Sequence, residues 1–252
     1  MKKNRNPDIM PLGIVLLSAA GYVLRSGLYT TALDDKNLLL RNHPLALCLW
    51  GCTAAAFVLS LVAAGQGYKI SQYAANFEGS VMAALGHILA GSGILLTVLL
   101  DPVPVLDPAA TLWKVCGILS CAALYWAAFS RARGDRPFFG TYGVMSVFFA
   151  IHLIANYQLW CADPQLQNFV FAFLACLMLM LFAYYQCAFC VDSGSSFRLR
   201  FTGLLAVFFC VCAIAVQGHL WLYGGCAVWA FTGLSRIRPR REKKAGEVHG
   251  SA

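Results

Sequence analysis

Acidic side chains are scarce in this chain. Of its 252 residues only 11 are Asp or Glu, and all of them lie outside the long apolar runs. Carboxylates buried in a bilayer serve as proton relays and cation ligands in many transporters, and a pair of them does the chemistry of aspartyl-type intramembrane proteases. Their absence from the apolar runs weighs against both. Charge of either sign is thin: 12% of residues, where an ordinary soluble domain carries about 25%. There is no P-loop, no G-x-S-x-G, no H-E-x-x-H and no dinucleotide fingerprint. The 11 cysteines build no extracellular disulfide framework, because only Cys161 falls near a predicted outer surface. Cys187 and Cys190 form a C-x-x-C that could hold a metal or do thiol chemistry. With no second pair nearby they are read as small packing residues, and neither metal nor cofactor is expected.

What is abundant is apolar surface, 60% of the chain, too much for a water-soluble fold of this size to hide. A helix needs about 20 apolar residues to cross a hydrocarbon core about 30 Å thick. Runs that meet this need lie near 10–30, 44–64, 80–100, 110–130, 138–160 and 169–190. The next run, 201–234, is too long for one crossing, and Gln217, Gly218 and His219 interrupt it. It is therefore divided into 201–217 and 220–234, the second of which is further interrupted by Gly224 and Gly225. The expected fold is all-α: a polytopic transmembrane bundle of eight spans in a single domain, 1–235, followed by a basic tail, 236–252.

The basic residues support this division, since cytoplasmic loops are enriched in Lys and Arg. With the amino terminus inside, only Lys36 and Arg41 fall in outer loops, while Arg25 and Lys114 lie inside spans near their outer ends. The rest of the 19 fall on the inner side, including Arg131, Arg133, Arg136, Arg198, Arg200 and the tail cluster Arg236–Lys244. An even number of spans puts both termini in the cytoplasm, and the plasma membrane is the expected location. Lys2, Lys3 and Arg5 before an apolar run resemble a secretory signal, but the segment continues through Arg25 to Thr30 without a clean cleavage site, and a retained helix is expected. The tail should attract anionic lipid at about 1 kcal/mol per basic residue, or dock a membrane-protein partner. A homo-oligomer is also compatible. Nucleic acid is not expected, because the charges form no basic face.

A parallel hairpin repeat is suggested by two features. Outward-starting segments begin His43-Pro44, Asp107-Pro108 and Asp163-Pro164, suited to helix N-termini. A shift of sixty positions also matches Tyr125 with Tyr185, Gly134 with Gly194, Gly143 with Gly203, and Val147-Phe148-Phe149 with Val207-Phe208-Phe209.

Polar side chains inside the spans are the candidate site residues. His87 and His152 are the two deep imidazoles, and Asn156 lies one turn from His152 on the same face. They could hold a ligand or sense pH, against the plainer reading of hydrogen-bonded packing histidines. Tyr184, Tyr185 and Gln186 form a polar-aromatic cluster that could line a pocket with Tyr125 and Trp126. Arg25 and Lys114 are expected to snorkel outward. Trp113, Trp160, Tyr157, Trp221 and Tyr223 are expected to form an interfacial belt.

The segment Tyr157-Gln-Leu-Trp-Cys-Ala-Asp-Pro-Gln-Leu-Gln167, followed by Ala183-Tyr-Tyr-Gln-Cys-Ala-Phe189, resembles a group of uncharacterised multi-pass membrane proteins of clostridial-type bacteria. The likeness covers about the second half of the chain and implies no activity. A shorter likeness joins Gly134-Asp-Arg-Pro-Phe-Phe139 and Phe149-Ala-Ile-His-Leu153 to the eight-span lysoplasmalogenase-like family, whose membrane-embedded acidic residues have no counterpart here. The sequence favours a non-enzymatic membrane protein, either a permease-like carrier or a sensory or accessory subunit. The alternative is a lipid-acting intramembrane enzyme using His87, His152 and Asn156.

Overall fold

Away from water every backbone N–H and C=O must find a partner within the protein, so an apolar run in a bilayer becomes a helix. A computed structural model describes residues 9–32, 43–65, 71–100, 109–160, 169–217 and 219–234. Helix is the regular structure throughout these residues. The segments are α1 (Ile9–Thr31), α2 (Pro44–Gly65), the single turn α3 (Tyr73–Asn76), α4 (Val81–Leu100), α5 (Ala109–Arg133), α6 (Phe139–Trp160), α7 (Val170–Cys190), α8 (Ser196–Gln217) and α9 (Leu220–Gly233). The basic tail lies outside the described residues, as does Cys161.

Seven of these helices, all but α3 and α9, are long and apolar enough to cross a membrane. The protein is thus an all-helical membrane bundle. With 14 residues, α9 is about 21 Å long at 1.5 Å per residue, shorter than the hydrocarbon core. Two helices outrun their apolar stretch: α5 continues through Arg131 and Arg133, and α8 begins at Ser196, before Arg198 and Arg200. Hydropathy marks the part in lipid, whereas the helix continues into the interface.

Six helices close into a ring in the order α4, α5, α6, α7, α8, α9, with α9 packed back against α4. The pair α1 and α2 lies outside this ring against α8. Small residues close the α4–α9 seam. A Cβ on Gly93 would collide with the Trp221 carbonyl, and one on Gly225 would lie 2.6 Å from the Leu89 carbonyl. Gly225 therefore brings two backbones together, as small residues do between membrane helices, rather than interrupting α9. The hairpins α5–α6 and α7–α8 stand side by side in the ring. Their matched pairs Phe148–Phe149 and Phe208–Phe209 are buried and meet edge to face at 5.5 and 5.4 Å. The turns between the paired helices differ: Gly134 has φ +81° after α5, whereas after α7 the left-handed residue is Asp192, at +57°.

Candidate functional site

The ring's interior is filled by polar and aromatic side chains at two levels. Nearer the end that carries the arginine-rich turns, called here the basic end, His87 of α4 reaches across to Tyr142 of α6. His87 Nδ1 lies 2.6 Å from the Ala83 carbonyl, which places the neutral ring's proton on Nδ1. Nε2 is then the acceptor, and the Tyr142 hydroxyl donates to it at 2.9 Å. The indole of Trp229, from α9, stands edge-on to His87 at 5.9 Å and to Phe182 of α7 at 5.0 Å. Two polar atoms here are buried without a hydrogen-bond partner among the described residues: Trp229 Nε1 and Gln186 Oε1. Each such atom costs about 1–3 kcal/mol when nothing pairs with it.

At the second level, toward the opposite end, Trp113 Nε1 donates to His152 Nδ1 at 3.0 Å, and the two rings stack with centroids 6.0 Å apart. The Asn156 amide nitrogen lies 3.2 Å from His152 Nε2 and donates to the His152 carbonyl at 2.8 Å. A neutral imidazole offers one acceptor nitrogen, and two donors face this one. With Trp113 on Nδ1, Nε2 carries the proton, and the Asn156 amide nitrogen donates to the His152 carbonyl. Across the ring, Cys176 Sγ and Tyr223 Oη are 3.6 Å apart. Among the described residues no group of three or more His, Cys, Asp or Glu is placed to hold a metal ion.

Residues 71–80, ahead of α4, pack against the turns of the basic end. Asp192, held in the left-handed conformation that Asp tolerates better than most residues, uses both carboxylate oxygens. Oδ1 accepts from the Tyr73 backbone N–H at 2.9 Å, and Oδ2 pairs with Arg136 Nη1 at 3.0 Å. The Tyr73 hydroxyl donates to the Asp135 carbonyl at 3.4 Å and accepts from Arg131 Nη1 at 3.4 Å. Phe77 packs edge-on to Phe189 at 5.3 Å and offers its ring face to the Arg131 guanidinium at 4.5 Å. The Ser80 N–H donates to the Arg131 carbonyl at 3.0 Å. Burial lifts the Tyr73 phenol above its ordinary range, with the Arg131 charge working against that rise.

No known family, curated protein or solved structure matches this chain.

Of the residues singled out in the sequence, His87, His152 and Asn156 line the ring's interior. The two histidines sit on separate levels, each with its own aromatic donor. Tyr184 lies on the outside, 56% exposed, and meets the half-buried Tyr185 edge to face, and Arg198 sits over the Tyr185 ring at 5.9 Å. Tyr125 and Trp126 also face outward, and the Tyr125 hydroxyl pairs with Ser92 Oγ at 2.9 Å. Arg25 departs from expectation. Instead of snorkelling it is 1% exposed, donates to the Cys212 carbonyl of α8 at 2.8 Å and lies 4.8 Å from the Phe171 ring centroid. Trp113 and Tyr223 belong to the interior, not to an interfacial belt, whereas Trp221 and Tyr157 are exposed as a belt requires. Cys187 Sγ donates to the Phe139 carbonyl at 3.2 Å, and the described cysteines are free thiols.

Sequence reasoning missed Tyr142, Trp229 and the burial of Arg131. A single aromatic residue in an apolar run carries no mark of which way it faces. The available signal was the hydroxyl of Tyr142 itself, which must find a partner wherever it is buried.

Proposed function

We propose that this protein is a non-enzymatic, permease-like carrier of the plasma membrane, with both termini cytoplasmic and the ring's interior as its solute path. One observation carries this reading: donors and acceptors stack at two levels inside the six-helix ring, and on the level nearer the basic end two of them, Trp229 Nε1 and Gln186 Oε1, lack a partner among the described residues. A purely structural bundle gains nothing from the unpaired indole N–H of Trp229 or amide oxygen of Gln186. A polar solute would satisfy both. The clasp at Asp192 would then close the cytoplasmic mouth, and its breaking would open the path, as alternating access requires. A lipid-acting enzyme draws less support. His87 and His152 stand apart, and each imidazole is occupied by an aromatic donor rather than poised beside a carboxylate.

The test is counterflow in proteoliposomes, with radiolabelled amino acids, carboxylates, sugars and inorganic phosphate as the panel. The carrier reading expects exchange of at least one solute above protein-free vesicles, reduced at least tenfold by Trp229→Phe. No exchange across the panel would discard it.

A further inference from the structure

Arg131 lies in the last turn of α5 and is 3% exposed. Among the described residues no carboxylate pairs with it. Its described contacts are the Tyr73 hydroxyl at 3.4 Å and the ring face of Phe77 at 4.5 Å. Guanidinium carries five N–H donors in a planar fork and has no neutral form to retreat to. The ring face and the C-terminal end of the α5 dipole offset part of the charge, yet neither supplies acceptors for the remaining N–H groups. Asp192, the carboxylate bonded to Tyr73, is engaged elsewhere: it gives one oxygen to the Tyr73 N–H and the other to Arg136. The neighbourhood is also cationic overall, since Arg131, Arg133, Arg136, Arg198 and Arg200 share this end with Glu78, Asp135 and Asp192. Arg133 is held over Phe129 at 3.9 Å, on an exposed ring, away from the Tyr73 and Phe77 contacts of Arg131.

We infer that Arg131, its guanidinium steadied by the Tyr73 hydroxyl, is a binding site for a phosphate-type oxyanion at the basic end of the bundle. Phosphate oxygens match the guanidinium fork two at a time, which gives the shortest and strongest of the charge-assisted hydrogen bonds. The site's level at the end of the helices is where lipid headgroups lie, and it is also within reach of soluble phosphate. The two sources share one chemistry. The site stands independently of whether the ring's interior conducts a solute.

The experiment follows thermal unfolding of the purified, delipidated protein in a maltoside detergent. One arm titrates sodium phosphate against sodium chloride at matched ionic strength, and the other adds dioctanoyl phosphatidylglycerol against dioctanoyl phosphatidylcholine. The site expects a saturable rise of a few degrees in the midpoint, because a ligand that binds only the folded state stabilises it. Arg131→Gln should remove the rise and Arg133→Gln should keep it. A rise with phosphate identifies a soluble oxyanion; a rise with the anionic lipid alone identifies a headgroup. No rise in either arm for the wild-type protein overturns the proposal, as does a rise that survives Arg131→Gln. Should Arg131→Gln not fold, Arg131→Lys takes its place. It should weaken half-saturation about tenfold, since a point charge cannot reproduce the fork, and unchanged half-saturation would be equally fatal.

Discussion

At the scale of single residues, each level has a hydrogen bond that joins its histidine to an aromatic donor on another helix. Tyr142→Phe leaves His87 Nε2 buried with nothing to accept, and the expected loss is about 1–3 kcal/mol, read as a lower unfolding midpoint in detergent. Trp113→Phe should cost less than Tyr142→Phe, because His152 can then carry its proton on Nδ1 and accept from the Asn156 amide through Nε2. His87, His152 and Asn156 were legible in the sequence, because a polar group in an apolar run stands out. Tyr142, Trp113 and Trp229 were not, because an aromatic ring with a polar tip suits an interface as well as a core. Arg25 misled for a related reason. Its distance from the helix end allowed snorkelling, and only the arrival of α8, with the Cys212 carbonyl turned toward it, decided against.

At the scale of elements, the α4–α9 seam and the clasp at the basic end are the two places where local chemistry fixes packing. Gly225→Leu forces a side chain against the Leu89 backbone, which cannot yield as a flexible side chain could. Overpacking of this kind costs about 1–3 kcal/mol and occasionally more, and the rigid neighbour puts this case at the upper end. Gly51, exposed on α2 with nothing within 4 Å of an added Cβ, is the control: Gly51→Leu should change stability by no more than about 0.5 kcal/mol. In the clasp, the Asp192–Arg136 pair is nearly half exposed on both sides and contributes about 0–1 kcal/mol. Asp192→Ala also loses the bond to the Tyr73 N–H and puts a Cβ without a polar tip at φ +57°. A total of about 1–2 kcal/mol is expected, most of it recovered in Asp192→Asn, since Asn shares the tolerance for this conformation. Tyr73 adds a pH dependence. Its phenol is raised in the folded state, so its contribution is full below about pH 10 and fades as pH climbs through the higher folded value. Tyr73→Phe should make the alkaline fall in stability shallower. Most of the helices were legible as apolar runs, whereas the clasp was not, because its residues lie in connections where no periodicity guides the reading.

At the scale of the whole molecule, hydropathy gave the order of the helices along the chain but not their neighbours in space. A linear pattern is compatible with many arrangements of helices. The choice made here depends on close approaches such as Gly86 to Thr232 and Gly93 to Trp221, whose partners lie over a hundred residues apart. The ring closes only because α9, too short to span a membrane alone, returns to α4 and delivers Trp229 to His87. That closure is tested most directly by oxidative cross-linking in native membranes of a chain carrying Gly86→Cys and Thr232→Cys, with a protease site placed between α7 and α8. A Cβ at position 86 would lie 3.2 Å from that of Thr232, close to the separation a disulfide spans. After cleavage, the account predicts that the two fragments run together without reductant and separate with it, while Gly51→Cys with Thr232→Cys gives separate fragments in both conditions. Separation of the Gly86→Cys, Thr232→Cys fragments without reductant would contradict the closed ring.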